Sequence, residues 1–508
     1  SPVRGTCCSW RTKAVRGIHA GRKQLPILAY RSDRLRAIAA LDSASKPDKV
    51  RARPGLMAAL HSLGRTSCLL ACWLSALAAG AGLAEAPADS AIGTVPSSPA
   101  AVQEIPGTGA LGRALGLSED SGWRLGGAWS GNSTRQLQGG IQGPTQLGFS
   151  QQLLLDLSVD LERWADWDGG KLWVQLLQVN LNQEAYISSG SLQGSNSLVI
   201  QEPWDRTQLY SYAYSQYLLD QQVRILLGKL APSVGFANVV TPVAVAKKSP
   251  YQIPAVTALT FTPPYALPTL LGRLPGYPNS ALGASLLVQP DAFKKDLYLR
   301  VGVFDGRGGL GVDEQVETGL AIPSLSKQLF SIGELGGAWT AGPVKKPGAA
   351  ALGIWRQAGP LKRCNEEQSE CLRENSASGG YLVAQQRLLN FRHPKDDSGI
   401  SSFVQLQWSP STTNLFRSAI GAGFTMFAPM PSRLLDSYGV GLAWGRVNNH
   451  GFRRELFHDS ELMLQAYGQL HLRGSVYITP SITVLPSTGL RSASAPSTAA
   501  MLQLSALF

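Results

Sequence analysis

The residues of this chain that could do chemistry are few and form no catalytic set. Cys364 and Cys371 bracket CNEEQSEC, a polar, acidic stretch. Two cysteines this close in an exported chain can close a small loop disulfide, with two free thiols as the alternative. A metal centre would need further ligands, and no histidine lies close in sequence, so no metal is expected. His393, His450, His458 and His471 are scattered and belong to no nucleophile motif. Asp156 and Asp160 are neighbouring carboxylates, but spacing alone cannot set two acids across a sugar. The chain contains no Walker phosphate loop, no H-E-x-x-H and no G-x-S-x-G. We therefore expect neither an enzyme nor a cofactor.

A different set of polar groups is more telling. Arg224, Arg300, Glu334, Arg356, Gln385, Arg387, Gln405, Gln407, Glu461, Gln465 and Tyr467 sit within alternating apolar segments. Groups of this kind suit recognition of small hydrophilic solutes. Hydroxyls bond to Gln, Arg and Glu, and a sugar ring face packs on an aromatic. The bland alternative for each residue is a structural charge ladder that never meets solute.

Those residues need elements that turn one face to water. Segments with a period of two, the period of a strand, recur to the end of the chain. They run Trp123–Trp129, Phe149–Leu161, Lys171–Leu181, Leu209–Leu219, Val223–Leu230, Ala281–Gln289, Leu297–Phe304 and Phe330–Trp339. They continue through Ala349–Gln357, Gly380–Leu389, Ser401–Trp408, Leu415–Phe427, Ser437–Val447, Ser460–Leu472, Ser475–Leu485 and Ser497–Phe508. Most approach the ~10 residues that a tilted membrane strand needs. In Leu297–Phe304, Leu297, Leu299, Val301 and Val303 oppose Tyr298, Arg300, Gly302 and Phe304. One side of the sheet therefore sees water. That water is outside a soluble sandwich but inside a porin. Tryptophans at strand ends suit an interfacial girdle. The fold expected is an all-β, transmembrane antiparallel β-barrel of about sixteen strands over residues 119–508, with a secreted soluble β-sandwich as the alternative.

The chain end supports the barrel. Phe508, Leu504 and Leu502 share one apolar face of the last segment. Lipid tolerates no open sheet edge, so a barrel must close its last strand on its first. These three residues are expected to serve insertion and closure. The segment 231–280, rich in Pro and aromatics, is too long for a plain connection and is expected to fold inward and narrow a pore. Asp220-Gln221-Gln222 and Arg473-Gly474 read as tight turns.

Charge and composition fix the rest of the organisation. The net charge of +12 suggests nucleic acid until it is located. Residues 1–56 hold 13 Lys/Arg and 3 Asp/Glu, whereas residues 57–508 hold 33 and 31. The excess belongs to the leader, so no nucleic-acid partner is expected. Residues 1–56 are expected to be disordered upstream sequence. Residues 57–84 pass from a short n-region carrying Arg65, through an uncharged apolar run, to small residues. That is a signal peptide, with a membrane helix as the alternative. Residues 85–118 are an Ala/Pro/Gly-rich linker. Export followed by barrel insertion places the protein in the bacterial outer membrane.

Four blocks then carry a family resemblance. LYSYAYSQYLLDQQVRILLGKLAPSVGFANV (Leu209–Val239) is similar to a strand–turn–strand signature of the carbohydrate-selective porin family OprB. The stretch from Tyr277 to Gly306 resembles its next hairpin, and GGYLVAQQRL (Gly379–Leu388) a third motif. The block from Ser402 through Val447 is similar to its terminal strands. The resemblance covers roughly 122–508. It implies a sixteen-stranded barrel for diffusive sugar uptake, with outer-membrane lipid and the barrel-assembly machinery as partners. A general or inorganic-ion pore of the same fold is the alternative.

Overall fold

The computed structural model describes residues 110–508, apart from 142, 145–146, 183–188, 197, 199–204, 240–256, 278, 294–295, 310–325, 327, 366–368 and 393–397. The expectations for residues 1–56 and 57–84, and for His393, lie outside the described residues. So does the expectation for 85–118 as far as residue 109; Ala110–Ala114, at the end of that segment, is helical.

Sixteen strands form one closed barrel, each paired antiparallel with its sequence neighbours and β1 with β16. The first eight are β1 (Trp123–Gly140), β2 (Gly148–Asp160), β3 (Gly170–Leu181), β4 (Arg206–Leu218), β5 (Val223–Leu230), β6 (Ala281–Val288), β7 (Leu297–Asp305) and β8 (Leu329–Ala341). The others are β9 (Lys346–Cys364), β10 (Cys371–Asn390), β11 (Gly399–Trp408), β12 (Phe416–Phe427), β13 (Ser437–Val447), β14 (Ser460–Arg473), β15 (Val476–Ser487) and β16 (Ser494–Leu507). A closed ring has no sheet edge, which removes the sandwich alternative.

Residue alternation decides which face points where. On β7, Leu297, Leu299, Val301 and Val303 are exposed, while Tyr298 and Phe304 are buried. Leu335, Leu352, Ile354, Leu406, Ile420, Val440, Leu442 and Ile482 continue the exposed apolar belt around the ring. A belt of this kind is stable only against lipid. The buried apolar residues lie inside the barrel, where strand side chains meet loop residues such as Phe236, Leu259, Phe261 and Leu267.

Three strands run well past the segments that alternation marks. β1 continues from Ser130 to Gly140, β9 to Cys364, and β10 begins at Cys371. Past Ser133, which still pairs with Leu502 of the belt, the β1 extension reads TRQLQGG; it and the β9 and β10 extensions (AGPLKRC, CLRENSAS) show no alternation of apolar and polar residues. Above the lipid belt neither face meets hydrocarbon, so the alternating signal vanishes although pairing continues. At the tip of the β9–β10 hairpin, Cys364 and Cys371 pair across the ladder and are disulfide-bonded.

Closure is a matter of main chain and one aromatic ring. Phe508 and Gly127 exchange two backbone hydrogen bonds, N–H to O 3.0 and 2.6 Å. The Phe508 ring covers Gly127 so closely that a Cβ there would lie 2.5 Å from Cε2. Leu504 and Leu502 continue the same exposed face. Chain reversals are tight at this end of the barrel. Between β4 and β5, Leu219, Asp220 and Gln221 all take positive φ (53°, 52° and 65°).

Candidate functional site inside the barrel

The described parts of two connections at the far end of the barrel fold into its interior: those of the β5–β6 and the β3–β4 connections. Glu334 on β8 is the node that holds the first. Its Oε1 accepts the Tyr298 hydroxyl at 2.9 Å. Its Oε2 accepts the Tyr381 hydroxyl at 2.7 Å and the Ala237 backbone N–H at 2.7 Å. Arg300 Nη1 lies 4.0 Å from Oε1. The two tyrosines reach Glu334 by lying across glycines. A Cβ on Gly336 would sit 2.3 Å from the Tyr298 ring, and one on Gly353 would sit 2.0 Å from the Tyr381 ring. Small residues on β8 and β9 are thus what let two aromatic hydroxyls converge on one carboxylate.

The remaining mounts are strand side chains bound to loop main chain. Gln465 Oε1 accepts from Thr260 N–H at 2.7 Å, and Gln407 Oε1 from Thr269 N–H at 3.1 Å. Gln405 Nε2 donates to the Thr262 carbonyl at 2.9 Å. Glu461 accepts backbone N–H groups of Leu192, Gln193 and Gly489 at 2.6, 3.1 and 3.0 Å, and the Ser191 hydroxyl at 2.7 Å. Buried main-chain donors need such partners, and a fixed acceptor on the wall fixes the loop. Tyr277 ties the two loops together by donating to the Leu198 carbonyl at 3.3 Å. Burial, with Tyr265 adding to it, pushes the Tyr277 hydroxyl well above its usual range, so it stays a neutral donor. The inward face of β13 is glycine for the same purpose. A Cβ at Gly441 would meet Leu259 at 2.7 Å, and one at Gly445 would meet Phe416 at 2.6 Å.

Beneath this loop, towards the end that carries Trp123 and Phe508, lies a small cleft. Its polar wall includes Gln175, Ser211, Arg224, Ser285 and Arg300, and its aromatic wall Trp173, Tyr210, Phe236 and Phe304. Arg300 is the fixed cation here. Its guanidinium carbon lies 5.5 Å from the Phe236 ring centroid and 5.5 Å from that of Tyr298. Arg224 Nε donates to Ser215 Oγ at 2.9 Å, and its guanidinium lies 5.2 Å from the Tyr217 ring. Aromatic rings beside guanidiniums and amides are the side-chain types that recognise a ring-shaped polyol.

Among the residues singled out from sequence, Arg224 and Arg300 therefore border the cleft. Glu334, Gln405, Gln407, Glu461 and Gln465 face inward, and each gives at least one polar atom to an inward loop. Gln385 and Tyr467 are buried on the inner face. Arg387 is buried as well, with its guanidinium 5.3 Å from the Phe427 ring centroid. Arg356 is a correction. It is exposed on β9 together with Leu352 and Ile354, whereas Trp355 and Gln357 are the inward pair. A strand has only two faces, so a residue two along from Ile354 must share its outward side. Arg356 pairs with Ser331 near the start of β8, at the rim of the belt, where a long cation can reach water.

Sequence reasoning missed Trp173, Phe236, Tyr298 and Tyr381 as site residues, and it missed the loop cation Arg273. The tyrosines had a signal: each faces a glycine across the ladder. Arg273 had none, because it lies in a connection without periodicity.

Residues 145–500 match the carbohydrate-selective porin family OprB. No curated protein sequence matches significantly. Among solved structures, Pseudomonas putida OprB at high pH is similar with a TM-score of 0.63 and 15% identity, over 77% of this chain and 95% of that one. The low-pH form of that protein gives 0.46 and 14%, over 78% and 96%. OmpT, an outer membrane protein of Vibrio cholerae in its in-vitro folded trimer form, gives 0.43 and 9%, over 76% and 99%. The first of these likenesses bears on the fold alone. The family match spans most of the chain and agrees with a closed sixteen-strand barrel: the protein belongs to the OprB family of carbohydrate-selective porins of the bacterial outer membrane.

Proposed function

We propose that the chain is a passive diffusion pore whose solutes are small neutral polyols, sugars foremost, and that it performs no covalent chemistry. A solute enters from the loop-rich end, passes the β5–β6 loop, and meets the cleft beside Arg300 before leaving at the end that carries Trp123 and Phe508. Selection comes from width, hydrogen-bonding groups and fixed charge. The single observation behind this reading is the juxtaposition in that cleft of Arg300 and Arg224 with the Trp173 and Phe236 faces. An aromatic face suits the C–H side of a sugar ring, and guanidiniums suit its hydroxyls.

Residues 57–84 act in this reading as a cleaved export signal, and residues 85–118 as a linker on the periplasmic side. Phe508, with Leu504 and Leu502, is the face that the assembly machinery engages. The reading is tested in planar bilayers. The purified protein should give discrete single-channel steps, and graded sugars should reduce the ion current. Folded protein that gives no steps would end it.

A further inference from the structure

Outside the cleft, three charged side chains converge on one turn, residues 412–414, inside the loop-rich mouth. Arg273 comes from the inward loop. Its Nε donates to Asn414 Oδ1 at 2.6 Å, its Nη2 to Thr413 Oγ1 at 2.8 Å and its Nη1 to Gln357 Oε1 at 3.1 Å. Arg453, in the helical turn Arg453–Leu456, donates to the carbonyls of Thr412, Asn414 and Thr413 at 3.0, 2.6 and 3.0 Å. Glu374 on β10 accepts the backbone N–H groups of Thr412 and Thr413 at 2.9 and 3.1 Å, and the Thr413 hydroxyl at 2.6 Å. Arg363, buried on the inward face of the β9 extension, lies diagonal to Glu374 across the β9–β10 ladder, where Glu374 pairs with Leu361 and Arg363 with Leu372.

Among the described residues the charges in this cluster do not balance: three guanidiniums face one carboxylate. Arg273, Arg363 and Arg453 are 1%, 8% and 5% exposed. The partners of Arg273 and Arg453 are neutral oxygens, and Glu374 spends itself on the turn. Arg363 Nη1, fully buried, has no hydrogen-bond partner among the described residues. Burial, then the like charge of Arg363, holds the Arg273 guanidinium well below its usual range. Burial and Arg363 likewise push Arg453 down to about 9. A guanidinium keeps its charge in a protein, so Arg273 and Arg453 feel Arg363 as a like charge and Glu374 as their one described counter-charge. Buried cations without a counter-charge are unfavourable, and an anion that joins them relieves that cost.

We propose that Arg363, backed by Arg273 and Arg453, forms an oxyanion site in the mouth of the pore that takes a phosphate group, free or carried on a sugar. The forked donors of a guanidinium match the oxygens of phosphate better than they match a halide. The proposal deepens the diffusion-pore reading, since it adds phosphorylated solutes to those the pore admits. The site lies at the entrance, apart from Arg300 and its cleft.

The test is calorimetric titration of the full, detergent-folded chain with inorganic phosphate, with glucose 6-phosphate and glucose as further arms. Heat-modifiable migration certifies each variant as folded. Wild type should bind phosphate, and Arg363→Gln should bind it at least about tenfold more weakly, the loss of one charge-assisted contact. Arg363→Lys keeps the charge without the fork and should weaken binding a few fold; it carries the test if the Gln variant does not fold. Glucose 6-phosphate should share the site with phosphate, and glucose should not compete. Absence of phosphate binding to wild type, or unchanged affinity in the folded Arg363 variant, overturns the proposal. Single-channel recording is read separately. A silent bilayer would fail the pore reading, while the calorimetry would still decide the anion site.

Discussion

Glu334→Ala should open the pore. The carboxylate is 2% exposed and accepts three hydrogen bonds, of which the one from Ala237 N–H is its hold on the inward loop. A hydrogen bond to a charged group contributes about 1.5–3 kcal/mol net. Losing the Ala237 contact alone should therefore shift the docked-to-undocked ratio of this part of the loop about 10- to 100-fold. The same substitution leaves the Tyr298 and Tyr381 hydroxyls buried without their acceptor and Arg300 without its counter-charge. The total cost should thus reach about 3–5 kcal/mol, since each buried hydroxyl left without its partner adds about 1–3 kcal/mol. Single-channel recording should show larger, noisier steps and a shift of selectivity towards anions, because one negative charge has left and Arg300 is uncompensated. Glu334→Gln should fall between. Its amide oxygen still accepts and the tyrosine hydroxyls can rotate to accept from its NH2, but one contact and the charge are gone. Folded Glu334→Ala pores with the conductance, noise and selectivity of wild type would refute the claim that Glu334 mounts the loop.

Three further outcomes follow from where the structure places individual side chains. Arg300→Ala removes the cation at the cleft and should move selectivity towards cations and weaken the block of ion current by sugar; unchanged current and block would take Arg300 out of the permeation path. Arg356→Gln alters only the outer face and should leave conductance, selectivity and sugar block as they are, so a change in any of them, measured in the same bilayers, would mean that the β9 register is misread. Deleting Phe508 removes the ring over Gly127 and two closing hydrogen bonds, so the yield of heat-modifiable barrel should fall while surviving pores keep wild-type conductance; altered single-pore conductance would tie Phe508 to the channel itself.

The lipid belt was the legible part of this molecule. β7 could be read residue by residue, because hydrocarbon on one side and a polar interior on the other impose a strict period of two. The same physics explains where reading stopped. The upper parts of β1, β9 and β10 stand clear of the lipid, so their pairing leaves no mark in hydropathy. The interior was only half legible. Parity put Glu334, Gln405, Gln407, Glu461 and Gln465 on the inner face, but it could not tell a residue that meets solute from one that holds a loop. That difference depends on the main chain of segments hundreds of residues away, such as Thr260 N–H on Gln465. Arg356 shares its parity with Leu352 and Ile354, and that parity puts it on the outer face. The glycine face of β13 was visible as a pattern, and its meaning came only with Leu259 and Phe416 lying against it.

The central claim is that small hydrophilic solutes cross this barrel by diffusion past a loop-narrowed cleft. Liposome swelling with graded neutral sugars tests it most directly. Proteoliposomes should swell at rates that fall steeply as sugar size increases, and Glu334→Ala should flatten that dependence. Swelling no faster than in protein-free liposomes, with the barrel shown to be folded, would contradict the account.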